Sequence, residues 1–472
     1  MTTQLETDYL VVGAGALGMG FVDTLIEHSD ADVVMIDRRH RPGGHWIDSY
    51  PFVQLHQPSI TYGVNSTPLG NDRVEATGRD AGFYERATGT EICAYFDEVM
   101  RERFLASGRV RFFPLSDSLG GSTFRSRLSG SEYDVTARKA VVDATYMATS
   151  VPAVDPPPFA VADGATCIPV GALAELEHTP EGYVVVGAGK TAMDAVCWLL
   201  DHDVPADAIT WIRPGDSWIL NRANFQPGVG VVRTFEGVVF ELEAVAECDS
   251  IDEVYARLEE HGVVMRIDPA VAPTMLRGAT ASAGEIELLR RVENVVRMGY
   301  VKRIDTDSIT LEDGTIPTTP GHVHVHCAAS GLSDQPPVPI FDDGAITLQP
   351  VTRVSLPLSS GLLGVVEASG RSTAAKNTLC RPNAWPQTPF DFARHLLTGL
   401  RTEMEWISAD DVNAWVNASR LNLIRDLDTD PDDATVAALQ ARFLTVLFPA
   451  VGKLDEFAAQ ATPAEKRRLT PA

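Results

Sequence analysis

Asp8-Tyr-Leu-Val-Val-Gly-Ala-Gly-Ala-Leu-Gly18 decides how this chain must fold. Tyr9 to Val12 is a short apolar run rich in β-branched residues, suited to a central parallel strand buried on both faces. It stops at Gly13. In a Gly-x-Gly-x-x-Gly turn the first glycine permits the tight bend and the second lets backbone approach a phosphate with no Cβ in the way. The third lets the next helix pack close on the strand. Gly13, Gly15 and Gly18 hold those places. The helix expected from Ala16 to about His28 then aims its free N–H groups and positive dipole end at a pyrophosphate. The next β-rich run, Asp32-Val-Val-Met-Ile-Asp37, sets Asp37 24 residues beyond Gly13. There a carboxylate can hold a ribose 2′-OH.

The same device recurs at Tyr183-Val-Val-Val-Gly-Ala-Gly-Lys-Thr-Ala192, followed by a helix to about His202 and the strand Ala208-Ile-Thr-Trp-Ile-Arg213. Two such units in one chain imply two dinucleotide sites, the second using Gly187, Gly189, Lys190 and Thr191. Where the first unit ends in Asp37, this one ends in Arg213, 26 residues after Gly187. A cation there can pair with a 2′-phosphate, which favours NADPH over NADH. Lys190 adds a charge for the pyrophosphate. The plainer alternative is an empty, vestigial unit, since Lys190 and Ala192 depart from the usual glycine and serine pattern. Between the units, Pro152 and Pro156-Pro-Pro158 make a stiff linker unsuited to a sheet interior, so a domain boundary is expected here.

Whole-chain properties bound the rest. At 472 residues the chain should hold two or three domains. A net charge of −25 argues against a general nucleic-acid or anionic-membrane binder. No apolar run reaches 18 residues, and the N-terminus enters a strand with no basic, apolar leader, so the expectation is a soluble cytoplasmic protein without a membrane partner. The six cysteines contain no CxxC pair, which leaves neither a redox dithiol nor a thiolate metal cluster. His324 and His326 alternate on a strand and do not by themselves suggest a metal site; none is expected.

After Asp37 come Arg38-Arg-His-Arg-Pro-Gly-Gly-His-Trp46 and then Tyr50-Pro51, Ser59 and Tyr62. This order of glycine fingerprint, acidic residue, GGxW element and Tyr-Pro segment resembles the FAD-binding half of the flavin-containing monooxygenases and Baeyer–Villiger monooxygenases. The resemblance implies that FAD lies along Gly13, Gly15, Ala16, Gly18, Asp37 and Arg38. It sets Gly44, His45 and Trp46 beside the flavin end, and the Ser116 backbone near the adenine. It implies further that His56 and Gln57 pass near the isoalloxazine ring and, with Arg222, border the substrate. Ala144-Thr-Tyr146 or Ala148-Thr-Ser150 would stand for the Ala-Thr-Gly crossing of those families, and the strand His322-Val-His-Val-His-Cys-Ala-Ala-Ser-Gly331, ending in small residues, for the second one. One element is missing: their Phe-x-Gly-x-x-x-His fingerprint is replaced by Val161-Ala-Asp-Gly-Ala-Thr-Cys-Ile-Pro, with no such histidine.

The expected architecture is α/β, with two Rossmann-like dinucleotide-binding domains for FAD and NAD(P), the FAD domain discontinuous, and a helical C-terminal region. The divisions are 1–152, 153–332 with a helical insertion, and 333–472. Within the last, Arg353-Val-Ser-Leu and Gly361 to Glu367 read as final strands of the FAD domain. Thr388, Pro389 and Asp391 read as the start of a helix whose N-terminus faces the flavin. Gly284 to Met298 reads as a helix, and Asp426 to Asp433 as a solvated acidic stretch. The expected function is an FAD-dependent, NADPH-using monooxygenase of a small organic substrate. The alternatives are an FAD-dependent dehydrogenase or oxidase without a stable peroxyflavin, and a nucleotide-binding protein with no turnover.

Overall fold

The computed structural model describes residues 2–329, 331, 335–353, 355–427 and 433–460. The first unit runs β1 (Thr3–Val12), α1 (Ala16–His28), β2 (Val33–Ile36), α2 (Gly89–Glu98), β3 (Val110–Phe113), β4 (Ser116–Gly120), β5 (Thr123–Ser126) and β6 (Glu132–Asp143). The hairpin arm and the strand expected after it are one element, β6, which follows β1 in parallel along its whole length.

The second unit contains β7 (Ala160–Val161), β8 (Cys167–Pro169), β9 (Gly182–Val186), α3 (Lys190–Asp201), β10 (Ile209–Ile212) and β11 (Ser217–Asn221). It continues through α4 (Val231–Glu247), α5 (Ile251–Glu260), β12 (Val264–Met265), β13 (Met275–Ala281), α6 (Ala283–Leu289) and β14 (Val295–Val296). β15 (Val301–Ile304), β16 (Ser308–Leu311), β17 (Gly314–Pro317) and β18 (His322–His326) complete it. The return segment supplies β19 (Phe341–Asp342), β20 (Ala345–Thr347) and helices α7 (Leu356–Ala368), α8 (Thr373–Leu379), α9 (Pro389–Ile407), α10 (Asp410–Ala418) and α11 (Ala434–Ala459).

Two parallel sheets organise these elements. In the first, β20 pairs with β6 and the order is β19-β20-β6-β1-β2-β3, so chain from beyond residue 340 completes the sheet that residue 3 began. The second has the order β14-β10-β9-β18-β8. Each is a Rossmann-like domain, the first discontinuous, with a helical region at the C-terminal end. Their central strands are buried on both faces: Val33 to Ile36 and Gly182 to Val186 contain no exposed residue. That is why both read as unbroken apolar runs.

Two sequence expectations need correction. Gly361 to Glu367 is not a strand but the body of α7, which is buried on nearly all sides. A short apolar run closed in all round looks alike as helix or strand. The helix expected from Gly284 to Met298 stops at Leu289, because Val295 and Val296 are drawn into the sheet beside β10. The helix whose start borders the first glycine turn is α7.

Packing sets α7 in this place. A Cβ added at Gly20 would lie 2.1 Å from Ser360 Oγ, and one at Gly364 would lie 2.2 Å from Thr24 Oγ1. Both contacts are 340 residues apart in sequence, so α1 and α7 run parallel and level, with N-caps Gly15 and Ser355 side by side. Each helix follows a parallel strand of one sheet, which places both starts at the carboxyl edge where such sheets bind ligands. Farther on, α9 begins with a capping box at Thr388 and Asp391, as its sequence indicated. Val354, Ser330 and the residues from Asp428 to Asp432 lie outside the described residues, so the readings that include them are untested there.

One described helix, α11, is apolar and long enough by length and composition to cross a membrane. In the fold it packs on α4 and α9 and buries Val436, Leu439, Leu454 and Phe457.

Candidate functional site

The first glycine turn is held by the neighbouring strand's backbone and by one carboxylate. Gly13 takes φ +106° and donates its N–H to Ile36 O at 2.8 Å. Gly18 sits so close that a Cβ there would meet Gly13 O at 2.1 Å. Asp37 is buried, and its carboxylate accepts the N–H groups of Ala14 at 2.7 Å and Arg39 at 2.8 Å. Ser116 donates its N–H to Asp37 O at 2.9 Å, which fixes β4 beside the same strand end. Arg38 is exposed at the rim.

Against this turn lies the second glycine element. Gly43 donates to Ala14 O at 2.9 Å, and a Cβ on Gly44, at φ +60°, would stand 2.9 Å from Gly15 Cα. Two backbones this close, next to the paired starts of α1 and α7, form a cradle that only glycine permits. Of the two candidate crossings, Ala144-Thr145 is the one against the turn: Ala144 N–H donates to Val12 O at 2.9 Å, and a Gly13 Cβ would touch Thr145 at 3.0 Å. Trp46 closes the side, its Nε1 donating to Tyr62 Oη at 2.7 Å.

The second turn repeats this backbone. Gly187 takes φ +141° and donates to Ile212 O at 3.0 Å, while Cys327 donates to Val186 O at 3.0 Å. Gly189 caps α3, and a Cβ there would meet nothing within 4 Å. Lys190 turns its ammonium to Asp194 and lies 3.9 Å from Glu285. Thr191, one residue on, is half-buried. Arg213 is buried against Asp216, its guanidinium 4.8 Å from the Trp211 ring.

The segment from Tyr50 to Arg86 joins the two turns. Tyr50 Oη donates to Asp194 at 2.7 Å, and Phe52 stacks on Trp198 at 4.8 Å, so this loop of the first unit belongs to the apolar core of the second. Arg222 is fully buried. It donates Nε to His56 O at 2.9 Å, Nη2 to Thr280 O at 3.3 Å, and pairs with Asp80 at 2.5 Å and Glu285 at 2.7 Å. Arg86 adds a 2.6 Å pair with Asp80. Burial alone would raise the Glu285 carboxyl, but Lys190, Arg222 and Arg86 outweigh it and hold it below the usual carboxylate range.

His56 therefore sits among cations. Burial, helped by Lys190, Arg222 and Arg86, pushes its pKa down to about 3. Burial and Arg39 push His45 down to about 4. Both rings are neutral near pH 7. Neither ring, nor the Gln57 amide, has a protein hydrogen-bond partner among the described residues. Enclosed polar groups without partners generally answer to water or ligand.

The structure thus brings His56, Arg222 and Lys190 into one ionic group with Asp80, Arg86, Asp194 and Glu285. It brings Gly15 to Gly44 and Asp37 to Ser116. Arg213 belongs to a separate group with Asp216 and Arg297. The sequence reading missed the carboxylates. Glu285 reads as the third residue of a capping box begun by Ser282, and it fills that role as well. Asp80 and Arg86 lie in a loop with no periodicity to mark them.

Comparison with known proteins gives the chain its relatives. Residues 11–74 match the family described as NAD(P)-binding Rossmann-like domain. "Uncharacterized protein Rv2000" of Mycobacterium tuberculosis (strain ATCC 25618 / H37Rv) is 46% identical over 424 residues, which cover 90% of this chain and 79% of that one. The chain belongs to its family. "Uncharacterized protein Mb2023" of Mycobacterium bovis matches with the same identity and coverage. Among solved structures, the ε-caprolactone-bound cyclohexanone monooxygenase in its Loose conformation shares the fold. Its TM-score is 0.51 over 94% of this chain and 98% of that one, at 14% identity.

Proposed function

We propose that this chain is an FAD-dependent, NADPH-using oxidoreductase that acts as a monooxygenase on a small organic substrate. The observation that carries the reading is the loop from Tyr50 to His56. It follows the short turn Gly44–Asp48 of the first glycine cradle and is tied to the second unit through Tyr50–Asp194 and Arg222–His56, so one segment would border both nucleotide sites. A flavin and a nicotinamide must meet face to face for hydride transfer, and a shared wall between their sites meets that need.

The residues fit FAD. Gly13, Gly15, Ala16, Gly18 and Gly44 would hold the pyrophosphate on two level helix starts, and Asp37 the ribose. Bound flavin would supply the redox chemistry, taking a hydride from NADPH and passing electrons to O₂. The protein's own part is position and protons. His56 is neutral, so it can accept a hydrogen bond at one ring nitrogen and donate at the other, toward substrate or a reduced oxygen species. Gln57 offers an amide on the same loop. Arg222 touches neither space directly; it fixes the His56 backbone and is a positioning residue. Trp46 and Tyr62 shield the flavin side from water. With a net charge of −25, a cytoplasmic enzyme without nucleic-acid or membrane partners fits this reading.

The test is spectroscopic. Purified protein, reconstituted with FAD if necessary, should show oxidised-flavin absorbance that NADPH bleaches without O₂. Candidate ketones, sulfides and amines should then raise NADPH and O₂ consumption together without matching peroxide. Failure to hold flavin removes the reading. Reduction by NADPH with peroxide as the only product for every substrate favours an oxidase or dehydrogenase instead.

A further inference from the structure

Two arginines stand at the ribose end of the second sheet. β14 lies beside β10 with Val296 opposite Ile212, so Arg297 and Arg213 leave adjacent strands together. Asp216 sits between them, one carboxylate oxygen on Arg213 and the other 2.9 Å from Arg297 Nε. Arg297 reaches outward as well, its Nη2 2.8 Å from Asp268 Oδ2. The four charges form a graded row. The side chains of Arg213 and Asp216 are 3% and 5% exposed, whereas those of Arg297 and Asp268 are 31% and 33% exposed.

We propose that Arg297 is the residue that reads a nucleotide 2′-phosphate, by exchanging Asp268 for the phosphate, while Arg213 and Asp216 form the buried anchor that fixes it. This rests on the second unit being a nicotinamide-nucleotide site. Opening the Arg213–Asp216 pair would strand a buried carboxylate, which is costly, whereas an ion pair at the surface exchanges partners at little cost. Arg213 is also held against Trp211, whose indole donates to Gly187 O at 2.8 Å, so moving it would disturb the glycine turn. Arg297 keeps its Nε on Asp216 and needs to release only Asp268. Its Nη1 has no protein partner among the described residues, and a guanidinium can meet a phosphate with two parallel donors. Asp268 stays in place through the Ala270 N–H at 3.0 Å. It therefore competes with the phosphate and should limit the preference for NADPH.

Isothermal titration of the full chain with adenosine 2′,5′-bisphosphate and with 5′-AMP separates the possibilities. The wild type should prefer the bisphosphate. Arg297→Gln should weaken the bisphosphate about tenfold and leave 5′-AMP unchanged. Asp268→Asn, at a half-buried position, should tighten the bisphosphate several-fold and 5′-AMP not at all. A preference that survives Arg297→Gln overturns the assignment. So does an Asp268→Asn variant with unchanged or weaker bisphosphate binding, which decides the matter even if the arginine variant fails to fold. If 5′-AMP and bisphosphate bind equally to wild type, phosphate reading is absent. If neither binds, the nicotinamide-nucleotide reading of this unit falls with it.

Discussion

The two glycine turns share a backbone and differ in what surrounds it. Gly13 and Gly187 both have positive φ and both donate to the end of the neighbouring strand, at Ile36 and Ile212. Ala144 and Cys327 cross behind them in the same way. Yet the first turn is enclosed and the second is open. Gly15 abuts Gly44, while a Cβ at Gly189 would touch nothing within 4 Å. Gly18 cannot gain a methyl without meeting Gly13 O, whereas the second turn carries the buried Ala192 at the corresponding place. The fingerprint thus fixes the bend in both units, and the close approach it allows is exploited fully in one. A permanently held cofactor calls for an enclosed cradle and an exchangeable one for an open mouth, in keeping with the roles proposed for FAD and NADPH.

The sharpest way to break this comparison is to exchange the third residue of each turn. Gly18→Ala should force α1 away from the turn, cost about 2–4 kcal/mol and abolish FAD retention. Ala192→Gly should cost no more than about 1 kcal/mol, as a helix propensity change. Flavin content and urea midpoints measured on both variants check it. Comparable losses from the two would mean the turns are not differently packed.

The tie between the units comes next. Arg222→Met leaves Asp80 and Glu285 facing each other in a buried place and should destabilise the protein by about 3–5 kcal/mol. Adding Asp80→Asn and Glu285→Gln should recover most of it. Denaturation curves that show no recovery would point to lost packing instead.

A smaller effect concerns the two buried histidines. His45 and His56 are neutral in the fold with pKa values near 4 and 3, below the unfolded value of 6.5. The unfolded chain therefore binds protons that the folded one refuses, and stability should fall as pH drops from about 6.5 toward those values. Each ring contributes at most about 1.4 kcal/mol per pH unit. His56→Gln should flatten urea stability between pH 6.5 and 5 relative to wild type. It should also keep flavin reduction by NADPH while releasing more peroxide. Unchanged coupling would leave His56 as a loop brace.

Tyr50→Phe should have the least effect. Removing one hydrogen bond to Asp194 should cost about 1 kcal/mol, leave FAD content untouched and raise the KM for NADPH modestly. A change in FAD affinity of the same size would show that the loop serves the first site alone.

The glycine spacings and strand runs carried the doubled α/β architecture, because a Rossmann turn is a local event: bend, phosphate approach and helix start all lie within a dozen residues. The Thr388 capping box was legible for the same reason. What the sequence could not say was which distant groups meet. The helix α7 is closed in on nearly every side, so its hydrophobic pattern carried no period to set it apart from a strand. The carboxylates around Arg222 come from residues 80 and 285, and the partner of Arg297 from residue 268. Charge pairs of this kind leave no spacing rule behind. Local backbone chemistry determined where the two glycine turns bend, and only long-range packing decided which carboxylate each arginine meets.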